Sequence, residues 1–193
     1  LGGKAQANSD IVTKTLIGIN VGMFLLALLG GAPLQARLLL IGRGFSADAG
    51  GLVGVAHGDW YRLVTAMFLH TQPLHLALNM FALWIFGSQL EPVLGRIRFV
   101  TLYLLCGIAG CAASYAFSPP SQGSLGASGA VFGLVGAALV IGRRLSWDMS
   151  MAATFLMLSL VIGFMSTRID WRAHLGGLVA GLANGALIVG LTV

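Results

Sequence analysis

The sequence predicts an all-α, polytopic membrane protein, a six-transmembrane-helix bundle, and three observations carry that prediction. Apolar residues make up 57% of the chain and charged residues 9%, whereas a water-soluble domain carries about 25% charged residues. Mean hydropathy is +0.90. The few charges stand between apolar runs and divide the chain into segments that meet the roughly 20 residues a helix needs to cross a bilayer. Residues 1–193 are expected to form a single membrane domain, with spans near 15–36, 68–90, 99–117, 125–142, 149–167 and 172–193.

Each span follows from its flanks. Residues 15–36 are uncharged between Lys14 and Arg37, and residues 63–90 between Arg62 and Glu91. Residues 99–142, between Arg98 and Arg143, are long enough for two helices, and Ser118-Pro119-Pro120-Ser121-Gln122-Gly123 breaks them into a hairpin. Met149, just after Asp148, opens the fifth run, which reaches Thr167, and residues 173–193 make the sixth. The first ten residues lack the apolar core of a cleavable signal, so the first span is expected to act as its own insertion signal.

Orientation follows from the basic residues. Arg96 and Arg98 lie in the second loop, Arg143 and Arg144 in the fourth, and none in the third; Arg168 and Arg172 flank Asp170 in the fifth. The amino terminus, with Lys4 and Lys14, and the even-numbered loops are therefore expected on the cytoplasmic side. The long first loop, residues 37–62, then faces outward, and its mixture of Leu38-Leu39-Leu40-Ile41 with Gly44, Gly50, Gly51 and Trp60 suits the membrane interface. Eleven Lys and Arg against six Asp and Glu give a formal charge of +5. The scatter of these charges excludes a phosphate-binding patch, so nucleic acid is not expected as a partner and the lipid bilayer is. Cys106 and Cys111 are five apart in one apolar run, off a shared helix face, and read as small packing residues.

Spans two, four and six run inward from the outer side, and each carries unusual polar residues in its outer portion: His75 and Asn79, Ser128, and His174. Such groups are costly in a membrane, and their convergence marks a candidate site. His75 and Asn79, four apart, share a helix face. Gly129, Gly133 and Gly136 make a small-residue stripe on span four, and Gly177 and Gly181 make another on span six in register with His174. Such stripes let two helices approach closely enough for a serine hydroxyl to reach an imidazole on its neighbour. Taken singly, Ser128 reads as a helix cap or packing hydroxyl, His174 as a structural hydrogen-bond donor, and the glycines as ordinary packing features.

Together, these elements resemble the rhomboid intramembrane serine proteases of the six-helix bacterial type. The resemblance covers nearly the whole chain. It runs from Trp60-Tyr61-Arg62 at the end of the long first loop, through His70-x4-His75-x3-Asn79 and Gly126-Ala127-Ser128-Gly129, to Ala173-His174-x2-Gly177-x3-Gly181. It implies Ser128 as nucleophile, His174 as general base, His75 and Asn79 as oxyanion-site residues, and single-span membrane proteins with small-residue, helix-destabilising segments as substrates. No cofactor or metal is expected. Tyr61-Arg62 stands where many members have Trp-Arg, and Phe132 where some have a tyrosine stacked on the catalytic histidine; a phenyl ring keeps the stacking and loses the hydroxyl. The location implied is a bacterial inner membrane, with the active site opening to the outer side.

The chemistry also stands on general grounds. Peptide hydrolysis by serine needs a base for the hydroxyl proton and donors aimed at the developing oxyanion, and a serine that opens a helix supplies its own backbone N–H. Gly126 and Gly129 let the backbone turn and approach a substrate carbonyl. Two other classes are weaker. A haem or metal protein would pair histidines with Cys, Asp or Glu ligands, whereas Asn79 and Ser128 accompany these. A non-cleaving relative that binds clients would lack the serine or the base.

The remaining polar residues have structural readings. His70 is expected to orient the first loop at the entrance to span two, and His57 to be solvated. Asn20 and Asn184 are expected to hydrogen-bond between helices, and Arg62 to hold the first loop through backbone carbonyls or lipid phosphates. Glu91 and Arg96 are expected to fix the turn into span three. Asp170, just before Trp171-Arg172-Ala173, belongs at a helix N-cap.

Overall fold

In the computed structural model, residues 10–47, 49–165 and 169–191 are described. Lys4, Thr167 and Arg168, and with them the expected end of span five, lie outside the described residues, as do the last two positions of span six. Six long helices and one short one are present among the described residues.

Helix α1 (Ile11–Leu38) starts without a side-chain cap from Asp10. Its first-turn N–H groups are satisfied from a distant helix instead. The Glu91 carboxylate accepts from Val12 N (2.9 Å), Thr13 N (2.8 Å) and the Thr13 hydroxyl (2.8 Å). This corrects the expectation for Glu91. It does not brace the turn with Arg96, which is exposed, because the buried, positive end of a helix is the stronger attraction for a carboxylate. Gly87, one turn before Glu91, makes room: a Cβ there would stand 2.7 Å from Thr13. Farther along, Gly31 (φ 57°) kinks α1 ahead of Pro33.

The first loop adds a small β element to the expected all-α architecture. Strands β1 (Gly44–Ser46) and β2 (Gly51–Val53) pair antiparallel, with Phe45 opposite Leu52. A 3-10 turn (Val55–His57), the short helix α2 (Arg62–Thr65) and a second 3-10 turn (Ala66–Phe68) follow. Buried Arg62 ties the loop together, donating from Nη1 to Ala36 O (2.8 Å) and Leu39 O (2.9 Å) and from Nε to Asp59 (2.9 Å). The carbonyl role expected for Arg62 is the observed one. The Gly54 N–H, helped by the Arg62 guanidinium, holds the Asp59 carboxyl below its ordinary range against the opposing effect of burial. Phe45, Leu52 and Trp60 are exposed on this loop, as an interfacial element requires; His57 is exposed too.

Helix α3 (Pro73–Leu94) begins later than position 68, because Leu69 is extended and Pro73 occupies the first turn, where its fixed φ suits helix initiation. Only Gly95 (φ 76°) separates it from α4 (Arg96–Phe117). Helices α5 (Ser128–Arg144), α6 (Ser150–Met165) and α7 (Trp171–Gly190) complete the bundle. By length and hydropathy α1, α4 and α7 suffice to cross a membrane, and α6 is a shorter apolar helix. Helix α5 is central: 12 of its 17 residues are buried, and it packs on α3, α4 and α7.

Glycines set the closest approach. A Cβ at Gly177 or Gly181 on α7 would overlap the carbonyl oxygen of Gly129 or Gly133 on α5, and Gly185 continues the contact at Ala137. Backbone thus meets backbone along this seam. Asn20 bonds its own helix at Leu16 O (2.8 Å) and reaches the Tyr103 hydroxyl of α4 (3.5 Å). Asn184 differs from expectation: its amide returns to Ala180 O (2.8 Å) within α7. Cys106 and Cys111 are free and buried.

Candidate active site

Ser128 is the first residue of α5, half-buried, so the N–H groups around it belong to the helix turn that lacks intrahelical acceptors. The turn that delivers it is held from two sides. Gly126, at φ 119°, donates its N–H to Ala66 O (2.9 Å). Its missing Cβ leaves room for the His75 ring, whose Cε1 and Nε2 would lie 2.6 and 2.9 Å from such a carbon. One residue on, Ala127 N–H donates to His70 Nε2 (3.4 Å), and His70 Nδ1 faces Phe68 O at 3.4 Å. The two contacts define one tautomer, with the proton on Nδ1. His70 is fully buried, its ring centroid 5.1 Å from that of His75. Its role is therefore to hold the Ser128 turn, a larger one than orienting the first loop.

His174 lies in the first turn of α7, 8% exposed. Its ring stacks on Phe132 with centroids 4.2 Å apart and planes within 13°. Phe132 itself is one helical turn after Ser128, so the stack ties the imidazole to the helix that carries the serine. The meeting of Gly177 with Gly129 one turn below brings the two helix starts together. No hydrogen bond reaches His174 Nδ1 among the described residues. Asp170 caps α7 as expected, accepting from Ala173 N (3.2 Å); its other oxygen accepts from the Ser114 hydroxyl of α4.

His75 and Asn79 lie in the first two turns of α3, where His75 faces Gly126. The Asn79 side chain is buried, and its Nδ2 donates to His75 O (2.9 Å) on its own helix. One of its two N–H groups is thus committed locally, leaving the other. Contacts tie His75 to Gly126 and His174 to Phe132, positions on either side of Ser128 in the chain, with the Gly129–Gly177 and Gly133–Gly181 contacts beneath. Among the described residues no cluster of three His, Cys, Asp or Glu side chains could hold a metal ion.

A family model described as the Rhomboid domain matches residues 57–191. The chain belongs to the rhomboid family. It is similar to rhomboid protease GluP of Bacillus subtilis, with 34% identity over 188 residues, covering 95% of this chain and 36% of that protein. RHOMBOID-like protein 6, mitochondrial, of Arabidopsis thaliana is 38% identical over 143 residues, 70% of this chain and 46% of that one. Rhomboid protease AarA of Providencia stuartii is 26% identical over 202 residues, 88% and 69% of the two. The chain thus spans only part of these relatives. A polytopic helical membrane fold of rhomboid type accounts for the composition and the helical architecture together.

Two residues around the candidate site carry less signal in the sequence than their contacts in the structure. His70 stands between the second 3-10 turn and α3, so its place in the His70-x4-His75 spacing gave no link to the backbone of Ala127. Ser114 carried no signal at all, being one hydroxyl in an apolar helix.

Proposed function

We propose that this rhomboid-family chain is an intramembrane serine endopeptidase that cleaves peptide bonds in or near transmembrane segments through a Ser128–His174 dyad. The observation that carries the reading is the stack of the His174 ring on Phe132, one helical turn after the helix-opening Ser128, across helices that meet through glycine. His174 takes the hydroxyl proton as Ser128 Oγ attacks the scissile carbonyl, and then passes it to the leaving amine. Water entering from the outer side releases the acyl group by the reverse sequence. The Ser128 N–H, the His75 ring and the remaining Asn79 N–H serve the oxyanion. The absence, among the described residues, of a partner for His174 Nδ1 and the engagement of Asp170 elsewhere favour a dyad over a triad.

Residues 1–193 act here as a single domain in a bacterial inner membrane, amino terminus cytoplasmic and site open to the outside. Substrates are transmembrane proteins with small, helix-destabilising residues near the cut. An apolar groove of about 400 Å³ between α3 and α6, lined by Phe81, Ile85, Met151, Thr154 and Leu158, gives a lipid-facing segment a surface to approach. The mechanism draws on no cofactor.

The test is labelling with a fluorophosphonate probe and cleavage of a transmembrane substrate. Ser128→Ala abolishes both, His174→Ala abolishes cleavage, and the double variant is no worse than either, because residues acting as one unit are not additive. Cleavage by Ser128→Ala at the wild-type rate would sink the assignment.

A further inference from the structure

Helix α7 meets α4 and α5 along a seam of glycine and alanine. Its first turn rests by the Ala173 carbonyl on Gly110 of α4 and Gly129 of α5, where added Cβ atoms would stand 2.8 and 3.4 Å away. Its Gly176, Gly177 and Gly181 lie on Ala113, Gly129 and Gly133. Such a seam sets the distance between helices well. It sets their relative height less firmly, because along it backbone slides on backbone without interlocking side chains, and a helix rises only about 1.5 Å per residue. Among the described residues the imidazole has no hydrogen bond at Nδ1, and its Phe132 stack allows sliding of one flat ring over another. Height must therefore be set by something directional near the start of α7.

The bond between Ser114 and Asp170 meets that requirement. Ser114, 2% exposed in the last turn of α4, donates its hydroxyl to Asp170 Oδ2, while Oδ1 of the same carboxylate accepts from Ala173 N. Asp170 thus joins the first turn of α7 to a second helix that does not carry Ser128. We propose that the Ser114–Asp170 pair is a positioning device, with Ser114 a positioning residue for the reaction, which sets the height of His174 against Ser128. The inference rests on the dyad reading and names the residues outside it that make it work. An error of about 1 Å in such an alignment costs up to about 10²-fold in rate, and substrate binding, which needs no proton transfer, is spared.

The full chain in detergent is assayed for kcat and KM on a transmembrane substrate and for Tm, using wild type, Ser114→Ala, Asp170→Asn, Asp170→Ala and the Ser114→Ala/Asp170→Ala pair. Ser114→Ala, which leaves the cap intact, should lower kcat about 10- to 100-fold with KM unchanged. Asp170→Asn keeps both an acceptor for Ala173 N and an amide that the serine oxygen accepts from, so it retains most of the wild-type kcat. Asp170→Ala should match Ser114→Ala in kcat, and the pair should be no slower than Asp170→Ala alone. Wild-type kcat in Ser114→Ala, or losses that multiply in the pair, would overturn the proposal. If Asp170→Ala does not fold, Ser114→Ala and Asp170→Asn decide between them. A Ser128→Ala control separates the two readings: cleavage by that variant removes the dyad and this proposal together, whereas an inert Ser128→Ala with a fully active Ser114→Ala removes this proposal alone.

Discussion

The proposed oxyanion site turns on Asn79, whose Nδ2 now donates to the His75 carbonyl at 2.9 Å. A donor already held on its own helix adds little to substrate binding and acts when charge appears on the substrate oxygen. Asn79→Ala should therefore lower kcat, by up to the roughly 10²–10³ that loss of one such donor costs in other serine hydrolases, while KM changes little. Steady-state kinetics on a transmembrane substrate reads this directly. An unchanged kcat with a raised KM would move Asn79 to substrate binding. The neighbouring histidines divide differently: His75 faces the Gly126 turn, and His70 lies buried behind it as acceptor for Ala127 N–H. Sequence spacing linked His75 to Asn79 because a helix makes four-residue neighbours. It had no means of linking His70 to a backbone N–H fifty-seven residues away.

Between helices, the contact of α5 with α7 is the one that tolerates least. Gly181 stands on the Gly133 carbonyl, and backbone cannot yield as a flexible side chain does. Gly181→Val should separate the two helices, abolish cleavage and lower Tm, since overpacking costs about 1–3 kcal/mol even where side chains can move aside. Gly18 on α1 has nothing within 4 Å of an added Cβ, so Gly18→Val should keep Tm within a few degrees of wild type and serves as the comparison. Thermal unfolding of both variants in detergent checks the pair; equal Tm values would show that the seam is not tight. The small-residue stripes were visible in the sequence as a four-residue repeat. Their register, Gly177 on Gly129 and Gly181 on Gly133, was not, because a stripe specifies a face and leaves the height free.

For the molecule in its membrane, the basic residues of the amino terminus and of the even-numbered loops make a testable orientation. Cys106 and Cys111 are buried, which leaves a low background for thiol labelling. Ala56 on the first loop and Ile97 at the start of α4 are both exposed and lie at opposite ends of the proposed topology. In intact bacterial cells a membrane-impermeant maleimide should modify Ala56→Cys at once and Ile97→Cys only after lysis. The reverse pattern would invert the topology and place the Ser128 end of α5 inside the cell.

Composition and the positions of charges were enough for a helical membrane protein, because lipid offers no hydrogen bonds to a bare backbone and helices satisfy their own. Motif order was enough to bring Ser128, His174, His75 and Asn79 forward as a group, since each is expensive in a membrane and all four fall near the starts of their helices. Local chemistry likewise put Asp170 at the cap of α7. What lay beyond reach were partners distant along the chain. Glu91 looked like part of its own turn and instead caps α1, seventy-eight residues away. Ser114 looked like nothing and holds Asp170, fifty-six residues away. The helix periodicity that makes near neighbours predictable carries no information on which buried donor an orphan acceptor will meet. That pairing is settled only when the helices pack, because a buried polar group takes whichever partner the packed neighbours present and bears a penalty of about 1–3 kcal/mol if they present none.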